Sequence, residues 1–144
     1  MECVCKKESA DVIPGAREFI EYARGRGIAV FFVSNRTAEV KEATRQNLSQ
    51  ALGYPVPQNQ LMLKEERPEW TDAKTARRAA IAQTHRVLLL IGDDFNDFFR
   101  LQSLPSEQRN AIGQQYRRRW GRSWILLPNP VYGTWERSLR KSRE

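Results

Sequence analysis

Short apolar runs alternate along the chain with stretches whose apolar residues recur at helical spacing. Residues 28–33 (Ile-Ala-Val-Phe-Phe-Val) and 87–91 (Val-Leu-Leu-Leu-Ile) contain no polar residue. Such runs are typical of strands that are covered on both faces in a parallel sheet. Residues 61–63 and 123–127 predict two further short strands.

Four segments between these runs predict helices. The first begins near Pro14, which the first helical position tolerates, and ends at Gly25 and Gly27. The others are residues 38–52, residues 72–83 with Asp72 as N-cap, and residues 101–119 with a break at Pro105. This alternation predicts an α/β fold with a doubly wound parallel sheet in one domain, residues 14–144, after an irregular lead-in at residues 1–13.

Composition is that of an ordinary globular domain. The chain has 144 residues, 40% of them hydrophobic and 28% charged, which is enough for one domain with a core. It contains no apolar stretch near the roughly 18 residues that a membrane span needs. Cys3 and Cys5 are too close together to cross-link a domain, so they are interpreted as incidental thiols on the lead-in.

The net charge of +7 lies mostly near the C-terminus, because residues 114–144 hold eight Arg or Lys and only two Glu. The run Arg117–Arg119 beside Trp120 would suit a polyanion such as nucleic acid. A solvated helix face is the commoner origin of such a run. Nucleic acid is therefore the weaker hypothesis for a partner.

Three carboxylates follow the apolar run at residues 87–91. Gly92 permits a sharp turn, and Asp93, Asp94 and Asp97 come directly after it. Carboxylates this close repel one another unless a cation neutralises them, and oxygen ligands favour a hard ion such as Mg2+. The alternative is a solvated acidic turn.

Two further clusters would suit a phosphate group. Ser34, Asn35 and Arg36 supply a hydroxyl, an amide and a guanidinium after the first apolar run. Lys74 opens a predicted helix, where a cation is unfavourable unless it faces an anion. The alternatives are a helix N-cap cluster and a surface lysine. With the aspartates, these residues describe a phosphate held between Mg2+ and cations.

Several segments resemble a known enzyme family. Phe-Val-Ser-Asn-Arg at 32–36, Lys-Thr-Ala-Arg-Arg at 74–78 and Ile-Gly-Asp-Asp-Phe-Asn-Asp-Phe-Phe at 91–99 look like the second, third and fourth motifs of the haloacid dehalogenase (HAD) superfamily. Residues 14–19 and the Leu-Pro-Asn-Pro region within 124–136 resemble its class C bacterial acid phosphatases, which include lipoprotein 5′-nucleotidases.

The resemblance implies a HAD-like Rossmannoid fold and Mg2+-dependent hydrolysis of phosphomonoesters or nucleoside monophosphates through an aspartyl-phosphate. Full-length relatives work in the periplasm or as envelope lipoproteins. We see no signal peptide here, so localisation stays open. The implied roles are phosphoryl binding by Ser34, substrate contact by Asn35 and Arg36, charge neutralisation by Lys74, direct Mg2+ ligation by Asp93, support of the ion by Asp97, and a possible further ligand in Asp94.

One family motif is missing, the Asp-x-Asp that provides the nucleophile and the acid/base. The aspartates of the chain are Asp11, Asp72, Asp93, Asp94 and Asp97, and no two are separated by one residue. We therefore expect a truncated phosphatase domain that lacks its central strand and most of its cap, is prone to aggregation and does not turn over. The alternatives are a non-catalytic phosphate- or nucleotide-binding remnant and, more weakly, a basic nucleic-acid-binding module.

Overall fold

A computed structural model describes residues 12–99 and 104–129, which fall into two compact units that meet in sequence between Asp72 and Ala73. Three parts of the chain lie outside the described residues: residues 1–11 of the lead-in with Cys3 and Cys5, the start of the predicted fourth helix at Leu101, and the segment beyond Asn129. No helix in the described part is long and apolar enough to cross a membrane.

The first unit is built from two helix–strand pairs. Strands β1 (Phe32–Thr37) and β2 (Leu61–Lys64) are parallel, with Phe32 opposite Leu61 and Ser34 opposite Leu63. Its elements are α1 (Ala16–Gly25), β1 (Phe32–Thr37), α2 (Lys41–Leu52) and β2 (Leu61–Lys64), with short 3-10 helices at Ala38–Val40 and Gln58–Gln60. The buried apolar side chains are Ala23, Leu52, Val56, Leu61, Leu63 and Trp70.

The predicted bounds of the first strand, residues 28–33, are wrong. β1 begins at Phe32 and continues through Ser34, Asn35 and Arg36 to Thr37. The N–H of Ile28 donates to the carbonyl of Ala23 at 3.1 Å, so Ile28 belongs to the end of α1, and β1 begins where it meets its partner strand, with Phe32 opposite Leu61. The polar cluster therefore lies in the strand itself.

The second unit pairs a short strand with the last one. β3 (Leu90–Gly92) and β4 (Trp124–Leu126) are parallel, with Leu90 opposite Trp124 and Gly92 opposite Leu126. Its elements are α3 (Thr75–Ala82), β3 (Leu90–Gly92), a 3-10 helix (Phe95–Asp97), α4 (Ser106–Gln115) and β4 (Trp124–Leu126). Its buried apolar side chains are Ile81, Phe98 and Trp124. The last two belong to a cluster of rings with centroids 5.0 to 6.3 Å apart, formed by Phe95, Phe98, Phe99, Tyr116, Trp120 and Trp124.

The predicted α/β class with parallel strands is confirmed, and β2 and β4 lie where the apolar runs placed them. The prediction that residues 87–91 are covered on both faces is wrong, since Val87, Leu88 and Ile91 are 44%, 46% and 47% exposed. Within the described residues the strands form two separate pairs, and β4 is the one strand that pairs with β3. β3 spans only Leu90–Gly92 and pairs with one strand, so the described residues form no wider sheet at this point that helices could cover on both faces.

The third helix begins later than predicted. Asp72 is not its N-cap, because α3 starts at Thr75 and Lys74 occupies the capping position. The Asp72 carboxylate is 84% exposed and lies 3.3 Å from the ammonium of Lys64. Pairing with Lys64 therefore replaces the capping role that the sequence predicted.

Candidate functional site

The acidic turn, residues 93–97, follows β3 directly and is closed by its own side chains. The Asp94 carboxylate accepts the N–H of Asn96 at 2.8 Å, which caps the 3-10 helix Phe95–Asp97. Gly92 permits the close return of the chain, because a Cβ there would lie 2.5 Å from the Cβ of Asp97. The turn thus depends on glycine at one end and on a carboxylate cap within it.

Asp97 faces into the turn. One carboxylate oxygen accepts the N–H groups of Asp93 and Asp94 at 3.1 and 3.2 Å. The other lies 2.7 Å from the ammonium of Lys74, and the two side chains are only 11% and 19% exposed. Lys74 therefore neutralises Asp97, and together they fix the backbone that carries Asp93.

The carboxylate of Asp93 is the exposed member of the group, at the carboxyl end of β3. It accepts a hydrogen bond of 2.6 Å from the side-chain amide of Asn129. Sequence reasoning did not assign Asn129 a role. The Leu-Pro-Asn-Pro segment, which carried part of the family resemblance, was the signal that could have found it.

A cavity of about 420 Å³ opens beside Asp93 within the second unit. That volume lies in the range of small-molecule sites. Its walls combine apolar and polar groups, from Asp93, Asp94, Phe95, Arg109, Asn110 and residues 126–129. The guanidinium of Arg109 lies 5.4 Å from the ring centre of Phe95. The exposed carboxylate therefore borders a space that a ligand could enter.

The phosphate-binding candidates of the first unit lie at the end of β1. Ser34 accepts the N–H of Arg36 at 3.3 Å, and the guanidinium of Arg36 donates to the hydroxyl of Thr44 at 3.3 Å. The side-chain amide of Asn35 donates to the carbonyl of Asp72 at 2.8 Å. The structure thus brings Ser34 and Arg36 together in this unit.

The carboxylates do not converge on one point. No group of three or more His, Cys, Asp or Glu residues in the described ranges is placed to hold a metal ion. Asp97 is taken up by Lys74 and two backbone donors. Asp93 offers an exposed carboxylate oxygen, which is the type of ligand that Mg2+ prefers. Proteins often bind Mg2+ through one or two carboxylates, while water or substrate fills the other coordination positions. The side chains present therefore fit a Mg2+ ion that has Asp93 as its one direct protein ligand among the described residues.

Comparison with known proteins places the chain in a family. The model of the HAD superfamily, subfamily IIIB (acid phosphatase), matches residues 2–135. The class C acid phosphatase from Bacillus anthracis is similar at a TM-score of 0.84 and 28% identity, over 96% of this chain and 57% of that chain. A structure of the Bacillus anthracis enzyme with tungstate bound is similar at a TM-score of 0.84 and 30% identity, over 94% of this chain and 56% of that chain.

The chain spans a little over half the length of these solved structures. Phosphatases of this superfamily generally use a divalent metal ion. The family match covers nearly the whole chain, and the shared fold extends over it as well. This chain therefore belongs to the acid phosphatases of HAD subfamily IIIB.

Proposed function

We propose that the protein to which these 144 residues belong acts in the Mg2+-dependent hydrolysis of phosphomonoesters, nucleoside monophosphates among them. The observation that carries the proposal is the exposed Asp93 carboxylate at the end of β3, in a chain that matches the acid phosphatase family over residues 2–135. In this proposal the 144 residues supply part of the metal and phosphate site.

In this proposal the side chains of the second unit have different roles in binding the metal ion and the phosphoryl group. Asp93 would hold Mg2+, and the ion would neutralise phosphoryl charge. Asp97 orients Asp93 by accepting its N–H. The ammonium of Lys74 has three donors, so its contact with Asp97 leaves others for a phosphoryl oxygen. Asp94 caps the 3-10 helix through one oxygen and is a weaker candidate for the ion.

Ser34, Asn35 and Arg36 are proposed for the phosphoryl group and the substrate, as the family resemblance implies. The hydrogen bond from Arg36 to Thr44 supports this by holding the guanidinium in a defined position. Thr44 is itself 4% exposed, so the anchor is rigid.

Turnover needs a nucleophile that the 144 residues do not provide as an Asp-x-Asp pair. We therefore propose that this chain alone binds Mg2+ and phosphate without hydrolysing esters. A binding role without turnover is the second candidate function, and the missing Asp-x-Asp is the observation that favours it.

Mg2+ titration followed by tryptophan fluorescence tests the proposal. The rings of Trp120 and Phe95, a residue of the acidic turn, are stacked with centroids 5.6 Å apart, so the tryptophan reports on that turn. We expect a saturable response that Asp93→Asn abolishes and that Asp72→Asn, the same exchange at an exposed aspartate, leaves intact. Equal responses in all three proteins would contradict the assignment of Asp93.

Hydrolysis of p-nitrophenyl phosphate tests turnover separately. We expect no product above the blank from the 144-residue chain. Hydrolysis that Asp93→Asn abolishes would refute the claim that this chain lacks turnover, while it would uphold the metal site.

A further inference from the structure

Two cations on one face of α3 reach the acidic turn. Lys74 and Arg78 are four residues apart, which places them one above the other along a helix. Lys74 contacts the carboxylate of Asp97 at 2.7 Å. The guanidinium of Arg78 donates instead to backbone, to the carbonyl of Asp97 and, at 3.3 Å, to the carbonyl of Phe98. The helix therefore holds Asp97 at both its side chain and its main chain.

The two carbonyls bound by Arg78 lie where the 3-10 helix Phe95–Asp97 ends. The N–H groups of Phe98 and Phe99 both donate to the carbonyl of Phe95, at 3.2 and 3.3 Å. The forked guanidinium is suited to two neighbouring acceptors, which a lysine ammonium does not match in geometry. Burial lowers the pKa of Arg78, and the nearby Asp97 carboxylate opposes this shift. Arginine nevertheless stays charged at any physiological pH.

The opposite side of the turn is fixed by the aromatic cluster. The side chain of Phe98 is 5% exposed, and its ring lies edge-on to Trp120 at 5.0 Å. It also lies 5.7 Å from the ring of Trp124 in β4. Phe98 is thus held by its ring on one side and by its carbonyl on the other, so the turn has little freedom to shift along α3.

We infer that Arg78 is a positioning residue for the acidic turn, which it holds at the carbonyls of Asp97 and Phe98 so that Asp97 orients the Asp93 carboxylate. The path runs from Arg78 to Asp97, and from the Asp97 carboxylate to the N–H groups of Asp93 and Asp94 at 3.1 and 3.2 Å. The consequence for Mg2+ rests on the proposed function, in which Asp93 holds the ion. The consequence for the turn itself does not.

Removing Arg78 would affect Mg2+ affinity in two opposite ways, one through its charge and the other through its positioning of the acidic turn. Deleting a positive charge beside a cation site strengthens cation binding through Coulomb's law. Losing a group that orients a metal ligand weakens binding, typically 10- to 100-fold. Arg78→Met separates the two, since it removes the charge and both hydrogen bonds while keeping an unbranched side chain. Arg78→Lys keeps the charge and loses the fork.

Amide hydrogen exchange measured by NMR in the metal-free 144-residue chain tests the positioning directly. In Arg78→Met we expect the Asp93 and Asp94 amides to exchange about tenfold faster or more, the effect of losing a hydrogen bond to a charged group. The amide of Leu90, which donates to Ser123 at 2.9 Å within the same unit, is the reference and should not change. Arg118→Met, at an exposed arginine, is the control variant.

Mg2+ titration of the same proteins gives the second readout. We expect affinity to fall about tenfold in Arg78→Met and by a smaller factor in Arg78→Lys, with no change in Arg118→Met. Unchanged exchange at Asp93 and Asp94, or tighter Mg2+ binding in Arg78→Met, would overturn the inference. Equal acceleration at Leu90 would also overturn it, because Arg78 would then be a general structural residue.

The experiment separates this inference from the proposed function. If the wild-type chain shows no response to Mg2+ while Arg78→Met accelerates exchange at Asp93 and Asp94, the positioning role stands and the metal assignment fails. If Arg78→Met does not fold, Arg78→Lys decides, since it retains the charge but replaces the two-pronged guanidinium by a single ammonium group.

Discussion

The ion pair between Lys74 and Asp97 makes a quantitative prediction about the stability of the second unit. The two groups are 2.7 Å apart, and their side chains are 19% and 11% exposed. Asp97 also accepts two backbone N–H groups. Removing one member of a buried pair costs about 3–5 kcal/mol. Partial exposure reduces that cost, so we expect about 3 kcal/mol for Asp97→Ala, which leaves the lysine without its partner.

Lys74→Met should lower the free energy of unfolding by less, about 1–2 kcal/mol, because the Asp97 carboxylate keeps both backbone donors. The two losses should not add. Without Asp97, the Lys74 ammonium is a partly buried charge with no partner, so removing it is favourable. The double variant should therefore lose about 1–2 kcal/mol less free energy of unfolding than the sum of the two single losses. The two single variants and the double variant form a complete thermodynamic cycle.

Urea unfolding followed by tryptophan fluorescence measures the cycle, since Trp120 and Trp124 lie in the same unit. The control is the pair Arg17 and Glu21 of the first unit, where the buried Trp70 is the reporter. These two groups are 3.1 Å apart but 51% and 53% exposed. Their coupling should be about 0.3–0.5 kcal/mol. A coupling between Lys74 and Asp97 no larger than that of the control would refute the reasoning.

Three further predictions follow from single residues. Gly92→Ala should destabilise the protein by about 1–3 kcal/mol, because the added Cβ would overlap with Asp97. Gly25→Ala is the control and should not destabilise it, since a Cβ there meets nothing within 4 Å. Equal thermal melting curves for the two variants would contradict this prediction. Burial raises the pKa of Tyr54, whose hydroxyl has no hydrogen-bond partner in the described residues. Because only the unfolded state then ionises near its usual pKa of about 10, the free energy of unfolding should fall as pH rises above that value. Tyr54→Phe should make this fall shallower; identical pH profiles of the two proteins would argue against it. Leu88→Lys should slow aggregation measured by light scattering, since that side chain is 46% exposed, and an unchanged rate would show that aggregation starts elsewhere.

Local patterns located most of the regular structure. The apolar runs at residues 61–63 and 123–127 coincide with β2 and β4. The start of β1 was missed because it depends on the partner strand, with Phe32 opposite Leu61, and because Ile28 belongs to the end of α1. Exposure of Val87 and Leu88 could not be foreseen either, since burial of an apolar run depends on which elements pack over its two faces.

The chemistry of the site was easier to predict than its geometry. Spacing alone placed three aspartates after a strand, but it could not show that Asp97 faces inward to Lys74 rather than outward. The contact from Asn129 to Asp93 joins residues 36 positions apart and depends on the pairing of β3 with β4. The role of Arg78 depends on how far its side chain reaches from α3, which sequence spacing does not give.

Binding of inorganic phosphate, followed by 31P NMR with and without Mg2+, tests the central claim most directly. We expect the 144-residue chain to bind phosphate when Mg2+ is present, and we expect EDTA or Asp93→Asn to abolish the binding. Phosphate binding that persists unchanged after both treatments would show that Asp93 and Mg2+ do not hold the phosphate.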